Sequence, residues 1–264
     1  MSIITIDQDK CKKDSICVAE CPFSLITLQE DGFPGITEQA AKLCIHCGHC
    51  VAVCPHKALS LADLGPDDCI SSGYGPLPTL QKAGQWMTSR RSTRTYQKNS
   101  VDRGSLEQII DICRWAPSAR NSQPVKWLII EKPAEVNRLA GLVVEWLRTT
   151  GNYAEMVSAW DEGRDMVLRG APHLVVAYAD AGSVKPDIDC VIAMTYFEMA
   201  ASTMNLGTCW AGMLMSAAAN EYQPLMAALD LPENCKLYGA MMTGYPKYQY
   251  MRVPTRKAAA ITWR

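Results

Sequence analysis

From residue 84 onward the apolar positions follow two rhythms. In LEQIIDIC, Leu106, Ile109, Ile110 and Cys113 recur at i, i+3, i+4 and i+7. That spacing predicts a helix with one buried face, ended by Pro117 after Ala116. VKWLIIE, HLVVAYA from His173 and KLYGAMMTGY from Lys236 are short apolar runs suited to buried strands. DIDCVIAMTYFEMAASTMNLG is long and nearly uncharged in its interior, which predicts a helix buried on most sides, with Gly207 as its C-terminal cap. So apolar a helix also predicts a subunit interface. Together these elements predict an α+β domain over residues 84–264. Before it, ADLGPDDCISSGYGPLP has no apolar period and is dense in Gly, Pro, Ser and Asp. Residues 65–83 are therefore predicted to be a linker.

Residues 1–64 follow neither rhythm; they repeat. CKKDSICVAECP, from Cys11 to Pro22, lies on CIHCGHCVAVCP, from Cys44 to Pro55, which sets Cys11 on Cys44, Asp14 on Cys47, Cys17 on Cys50 and Cys21 on Cys54. The match runs on, FSLITL over HKALSL, which predicts a module of two copies related by a pseudo-twofold axis. Seven of the chain's 12 cysteines fall between Cys11 and Cys54. Thiolates at i, i+3 and i+6 in a tight loop can face three corners of one compact cluster. A single zinc ion, the alternative with His46 or His49 as ligand, usually takes two separated pairs. His46, His49 and His56 are expected beside a cluster or in solvent. The scattered Cys69, Cys113, Cys190, Cys209 and Cys235 are expected to be small buried hydrophobes.

Composition narrows the classes. At 264 residues, 48% of them hydrophobic, the chain can build a real core, and a net charge of −1 with dispersed basic residues argues against nucleic-acid binding. There is no uninterrupted apolar run of membrane-spanning length, and MSIITIDQDK lacks the marks of a secretory signal, so no membrane association and a cytoplasmic location are expected. In that reducing setting clustered cysteines point to metal rather than to disulfides. Residues 1–64 hold five Lys/Arg against eight Asp/Glu, an acidic surface read as a solvated face.

Each copy of the repeat resembles the bacterial two-cluster ferredoxin run CxxCxxCxxxCP, in which the cysteine before Pro serves the other cluster. The resemblance implies one [4Fe-4S] cluster on Cys44, Cys47, Cys50 and Cys21. It implies a second on Cys11, Cys17 and Cys54, with Asp14 standing where the family has cysteine. A carboxylate is a harder ligand than a thiolate. The second site is thus expected to hold either an Asp14-ligated [4Fe-4S] cluster or a [3Fe-4S] cluster with Asp14 beside it.

SRRSTRTY, from Ser89 to Tyr96, packs three arginines among four Ser/Thr hydroxyls; guanidinium forks and hydroxyls suit a phosphate. WAPSARNSQPVKW, LGTCWAGM, and GYPKYQYMRVPTRK from Gly244 to Lys257 follow in order. With RRSxR, APSxxNxQP, GxxWxG and GYP before a basic PxRK, residues 84–264 resemble the FMN-dependent nitroreductase family. The resemblance implies a central mixed sheet flanked by helices and a homodimer with FMN at its interface. It implies that Arg90, Arg91, Ser92 and Arg94 hold the phosphate and ribityl chain, and that Arg256 and Lys257 close on the phosphate. Pro117, Ser118 and Asn121 would contact the partner's flavin, and the turn at Ala211 and Gly212 would lie near N5. Trp210 and Met213 are read equally well as core residues. No GxGxxG with a following acid is present, so no separate Rossmann domain is expected. The fusion implies an oxidoreductase that passes electrons between clusters and FMN to a small organic acceptor such as a nitroaromatic, quinone or activated alkene. The donor is left open between NAD(P)H, which many members of the resembled family use, and a ferredoxin or another low-potential protein, which the fused module suggests. The alternative is an electron carrier or redox sensor acting through a partner protein.

Overall fold

The structure, a computed structural model, describes residues 3–71, 73, 75 and 77–264; Ser72, Tyr74 and Pro76, within the stretch read as linker, lie outside the described residues. The chain divides into two compact units, Met1–Leu77 and Pro78–Arg264.

The first unit runs β1 (Ile4–Ile6), α1 (Ile16–Glu20), β2 (Ile26–Leu28), β3 (Pro34–Ile36), α2 (Ala40–Leu43), α3 (His49–Val53) and β4 (Leu59–Leu61). β1 pairs with β4 and β2 with β3, both antiparallel. The register that sets Cys11 on Cys44 also carries α1 onto α3 and β2 onto β4. The backbone irregularities repeat with it: Lys13, Ser15 and Ser24 have φ of 60°, 60° and 51°, and their counterparts His46, Gly48 and Lys57 have 52°, 71° and 54°. Left-handed conformations at non-glycine residues are unfavourable by about 1–2 kcal/mol each. Their occurrence in both copies marks the two loops as built to one plan. The core beneath them is small, centred on Ile4, Ile26, Val51, Leu59 and Leu61.

The second unit runs α4 (Leu80–Ser89), α5 (Arg103–Cys113), β5 (Lys126–Ile130), α6 (Pro133–Thr150), α7 (Ala154–Asp161), β6 (His173–Asp180), α8 (Pro186–Thr203), β7 (Gly207–Trp210), α9 (Gly212–Ala219), α10 (Gln223–Leu229) and β8 (Cys235–Gly244). The four strands form one sheet in the order β5-β6-β8-β7, each pair antiparallel. A parallel component is added by the bridge of Ser92 to Thr208. Strand alternation splits the core in two. Leu174, Val176 and Met242 face α6, α9 and α10, while Val175, Ala177 and Met241 face α5 and α8. A sheet buried on both faces reads as continuous apolar runs, as the sequence does here. Burying each Leu or Val of β6 contributes about 1.5–3 kcal/mol.

Two expectations need adjusting. Gly207 does not cap α8. The helix ends at Thr203 with Met204 as its C-cap, Asn205 takes the left-handed position with φ of 57°, and Gly207 opens β7. The glycine answers a different need: a Cβ there would stand 2.7 Å from Thr93 Cβ. The stretch read as linker is also not wholly irregular, since α4 begins at Leu80 behind Thr79, whose hydroxyl accepts the Lys82 N–H at 3.3 Å.

Of the scattered cysteines, Cys113, Cys190 and Cys209 are buried and Cys69 and Cys235 half-buried; all 12 are free thiols. Among the described residues no helix is long and apolar enough to cross a membrane.

Candidate functional site

In the first unit, the loops before α1 and α3 bring the cysteines into two sets. Cys21, Cys44, Cys47 and Cys50 line one small apolar-walled cavity with Phe23 and Leu25. Burial pushes the Cys50 thiol up to about 11, and Cys47, Cys44 and Cys21 add to the shift. Cys17 is pushed up chiefly by burial, then by Cys54, Asp14 and Cys11. Each buried thiol thus senses the members of the set that the ferredoxin pattern assigns to it. Four thiols so close would repel one another as thiolates, and a cationic cluster core removes that penalty. Backbone donors complete the cradles. The Leu25 N–H donates to Cys21 Sγ at 3.3 Å, and at the equivalent place in the second copy the Ala58 N–H donates to Cys54 Sγ at 3.4 Å. Among the described residues no three His, Cys, Asp or Glu side chains gather at a single metal-ion position. Four thiols around one cavity match the four corners of an iron–sulfur cube, so Cys21, Cys44, Cys47 and Cys50 fit a cluster.

Asp14 differs from the cysteines. Its Oδ1 accepts the Ile16 N–H at 3.2 Å, and its Oδ2 lies 3.6 Å from His56 Nε2. His49 Nδ1 is 3.3 Å from the Cys47 carbonyl.

In the second unit, the segment after α4 is stitched along the sheet edge. The Thr93 N–H donates to Thr208 O at 2.8 Å, the Gln97 N–H to Tyr245 O at 2.8 Å, and the Lys247 N–H to Thr95 O at 3.0 Å. Tyr96 is buried and its hydroxyl donates to Thr93 O at 2.8 Å; burial pushes its pKa well up, so it stays protonated. This frame presents Arg90, Arg91 and Thr93 to a cavity of about 530 Å³, which Trp86, Thr208 and Tyr250 also line. The volume is that of a cofactor pocket, for which about 300–1,000 Å³ is usual. Two guanidinium groups, hydroxyls and aromatic faces are the donor set that a phosphorylated, planar-ringed cofactor needs, so the residues fit FMN.

Ser92 is half-buried and Arg94 exposed, and Tyr250 donates its hydroxyl to Ser92 O at 3.3 Å. Pro117 and Ser118 line a different cavity, of about 380 Å³, with Trp127 and Asp189. Asn121 sits in the turn that follows, where Arg120, Asn121 and Gln123 all have positive φ. Ala211 is buried and its N–H donates to Ala240 O at 2.9 Å, whereas Gly212 is exposed at the first turn of α9. Of that pair, the glycine amide is the one offered outward. Trp210 and Met213 are half-buried against the cores on the two faces of the sheet. Arg256 and Lys257 lie in the exposed C-terminal segment and line neither cavity. No motif points to Glu198, which is buried and paired with Arg90 at 2.7 Å. Its one signal along the chain is that it is a lone acid in an otherwise uncharged helix interior.

Residues 87–245, more than half of the chain, match the nitroreductase family model, and residues 9–59 match that of a 4Fe-4S dicluster domain. The FMN reductase [NAD(P)H] of Bacillus subtilis (strain 168) is 25% identical over 187 residues, covering 66% of this chain and 70% of that protein. A ferredoxin of Pyrobaculum islandicum is 41% identical over 59 residues, covering 22% of this chain and 52% of that protein. A nitroreductase with bound FMN from Bacteroides fragilis superposes with a TM-score of 0.59 at 21% identity, covering 69% of this chain and 98% of that one. The chain belongs to the nitroreductase family, and it is an FMN-dependent oxidoreductase with a 4Fe-4S ferredoxin domain at its N-terminal end.

Proposed function

We propose that this chain passes electrons from its iron–sulfur clusters to FMN and reduces a small organic acceptor such as a nitroaromatic, a quinone or an activated alkene. The observation that carries the reading is the presence on one chain of two sulfur-lined cradles and an arginine-lined cavity of cofactor size. FMN, when bound, accepts electrons singly and delivers them as a pair.

The chain's residues supply position and electrostatics. Cys21, Cys44, Cys47 and Cys50 ligate one [4Fe-4S] cluster, and the Leu25 amide stabilises charge on Cys21. Cys11, Cys17 and Cys54 hold the second, with Asp14 at the corner that lacks a thiol. Both Asp14 oxygens already face protein groups, the Ile16 amide and His56. This favours a [3Fe-4S] cluster at rest over an Asp-ligated [4Fe-4S] cluster. In Asp14→Cys, the EPR signal of the first type should give way to that of a reduced four-iron cluster; an unchanged signal would remove Asp14 from that corner.

Arg90, Arg91, Ser92 and Arg94 hold the FMN phosphate and ribityl chain, and the Gly212 amide, beside Ala211, is offered to the N5 edge. Pro117, Ser118 and Asn121 contact the flavin of a second copy in a homodimer. The cavity that Pro117 and Ser118 line is distinct from the one Arg90 lines, as a shared site requires. Arg256 and Lys257, exposed and outside both cavities here, close on the phosphate when the C-terminal segment packs over it. The donor is a low-potential protein such as a ferredoxin.

An anaerobic reductive titration followed by absorbance and EPR, with iron and FMN counted on the same sample, tests the wire. Two clusters and one FMN that come to equilibrium are expected; clusters that reduce while the flavin stays oxidised, at potentials where it should be reduced, would overturn it. Mixing dithionite-reduced protein with a nitroaromatic tests the acceptor, and a flavin that fails to reoxidise removes that substrate class. The second reading, a carrier or sensor, rests on the substituted corner at Asp14. Turnover with one small acceptor above about 1 s⁻¹ would exclude it.

A further inference from the structure

α8 is the most apolar long helix of the second unit, yet it buries two carboxylates. Asp189 is 2% exposed and Glu198 is 7% exposed. Burying a carboxylate is unfavourable unless a specific partner offsets the lost hydration, so each should have one. Both partners lie in segments assigned to the flavin. Glu198 Oε1 accepts from Arg90 Nη1 at 2.7 Å and from the Thr208 hydroxyl at 3.3 Å. Asp189 Oδ1 accepts the Ala119 N–H at 2.9 Å, inside the Pro117–Asn121 segment.

The two carboxylates are nine residues apart. At about 1.5 Å and about 100° per residue this puts them roughly 14 Å apart along the helix and on opposite sides of it. Arg90 lines the cavity of about 530 Å³, and Asp189 lines the other, of about 380 Å³. Between the two carboxylates α8 packs closely on the sheet at Met194, because Gly239 of β8 has no side chain: a Cβ there would stand 2.7 Å from Met194 Cγ.

We infer that α8 is the positioning element of the flavin site, Glu198 setting the guanidinium of Arg90 and Asp189 setting the Pro117–Asn121 segment; this rests on the reading that those two segments contact FMN. For Glu198 the action is charge and direction. It holds one arm of the guanidinium and draws Thr208, whose carbonyl takes the Thr93 amide, into the same knot. For Asp189 the action is conformational. Arg120, Asn121 and Gln123 have φ of 54°, 53° and 45°, and such backbone persists only where its surroundings over-determine it. The Ser118 hydroxyl accepts the Gln123 N–H at 2.9 Å, and Asp189 ties the segment to α8 through the Ala119 N–H. Asp189 Oδ2 has no hydrogen-bond partner among the described residues.

The test is the FMN dissociation constant, read by flavin fluorescence on the full-length protein, with the melting midpoint measured alongside. Arg90→Ala and Glu198→Ala should each weaken FMN binding about tenfold, and the double variant should be no weaker than the worse single one, since coupled neighbours are non-additive. Asp189→Ala should weaken it by a similar factor, while Asp189→Asn, which keeps an acceptor for Ala119, should restore it to within about twofold. A helix carboxylate that merely held the fold would lower the melting midpoint and leave FMN affinity untouched. That result in Glu198→Ala, with Arg90→Ala still defective, would overturn the inference. If Glu198→Ala does not fold, Glu198→Gln, which keeps the shape and removes the charge, decides: unchanged affinity overturns the inference and weaker binding upholds it. If Arg90→Ala and Asn121→Ala both bind FMN as the parent does, the site assignment itself has failed.

Discussion

The two units of this chain solve the same problem with different means. Met1–Leu77 has a small core and two loops held in unfavourable left-handed backbone, facing sets of free thiols. Pro78–Arg264 has a sheet buried on both faces and two apolar cores. A domain of the first size seldom stabilises itself by burial alone and commonly relies on metals or disulfides. The clusters are therefore expected to be structural as well as redox-active in the first unit. In the second unit, FMN should bind a fold that already stands. The difference teaches which part of the molecule its cofactors build and which part merely accommodates one.

The sharpest break of that comparison is iron removal. Chelation under oxidising conditions should unfold the first unit and leave the second folded, an effect on the order of 10 kcal/mol by comparison with structural metal sites. Hydrogen exchange would read it: amides of α1 and α3 should lose protection and those of β6 and β8 should keep it. Equal loss in both units would mean that the clusters hold up the whole chain. A smaller effect, confined to the second unit, is expected from Gly207→Ala, where the new Cβ meets Thr93. Overpacking of this kind destabilises by about 1–3 kcal/mol, so denaturant titration should shift the midpoint of that unit alone.

Smaller again is a pH effect. His173 is buried, its Nε2 accepts the Val101 N–H at 2.8 Å, and burial lowers its pKa below the ordinary 6.5, with Glu131 opposing. Between that ordinary value and the lower folded one, the unfolded chain binds a proton that the folded one does not. Stability of the second unit should therefore fall as the pH drops through that window. Melts at pH 7.5 and 5.5 should show the fall, and His173→Gln should reduce it. The least is expected from Thr79→Ala, which removes the cap of α4; such losses are about 0.5–2 kcal/mol. Faster exchange limited to α4 would be the readout.

Legibility differs between the units for a physical reason. The cluster ligands lie in two short runs whose spacing is itself the geometry of the site, and the internal repeat carries helices, strand and left-handed turns together. The strands β5, β6 and β8 and the helices α5 and α8 are readable because a fully buried element leaves an apolar run or a helical period. Helices α6, α7, α9 and α10 are not among the predicted elements, although the stretch AEMVSAWDEGRDM from Ala154 contains the whole of α7. Gly207 misleads because a glycine after a helix has two explanations, a cap or a close approach. Only the neighbour, Thr93, distinguishes them.

The sequence alone determined the family motifs, the internal repeat, the α+β character and the substitution at Asp14, because each is a local property of residue type and spacing. Tertiary structure alone decided that Asp14 faces His56, and that the arginine segment and the Pro117–Ser118 segment open onto separate cavities. It also decided that Glu198 and Asp189 hold those two segments from one helix. Arg90 and Glu198 are 108 residues apart, and no periodicity along the chain encodes a contact made by packing a helix against the edge of a sheet.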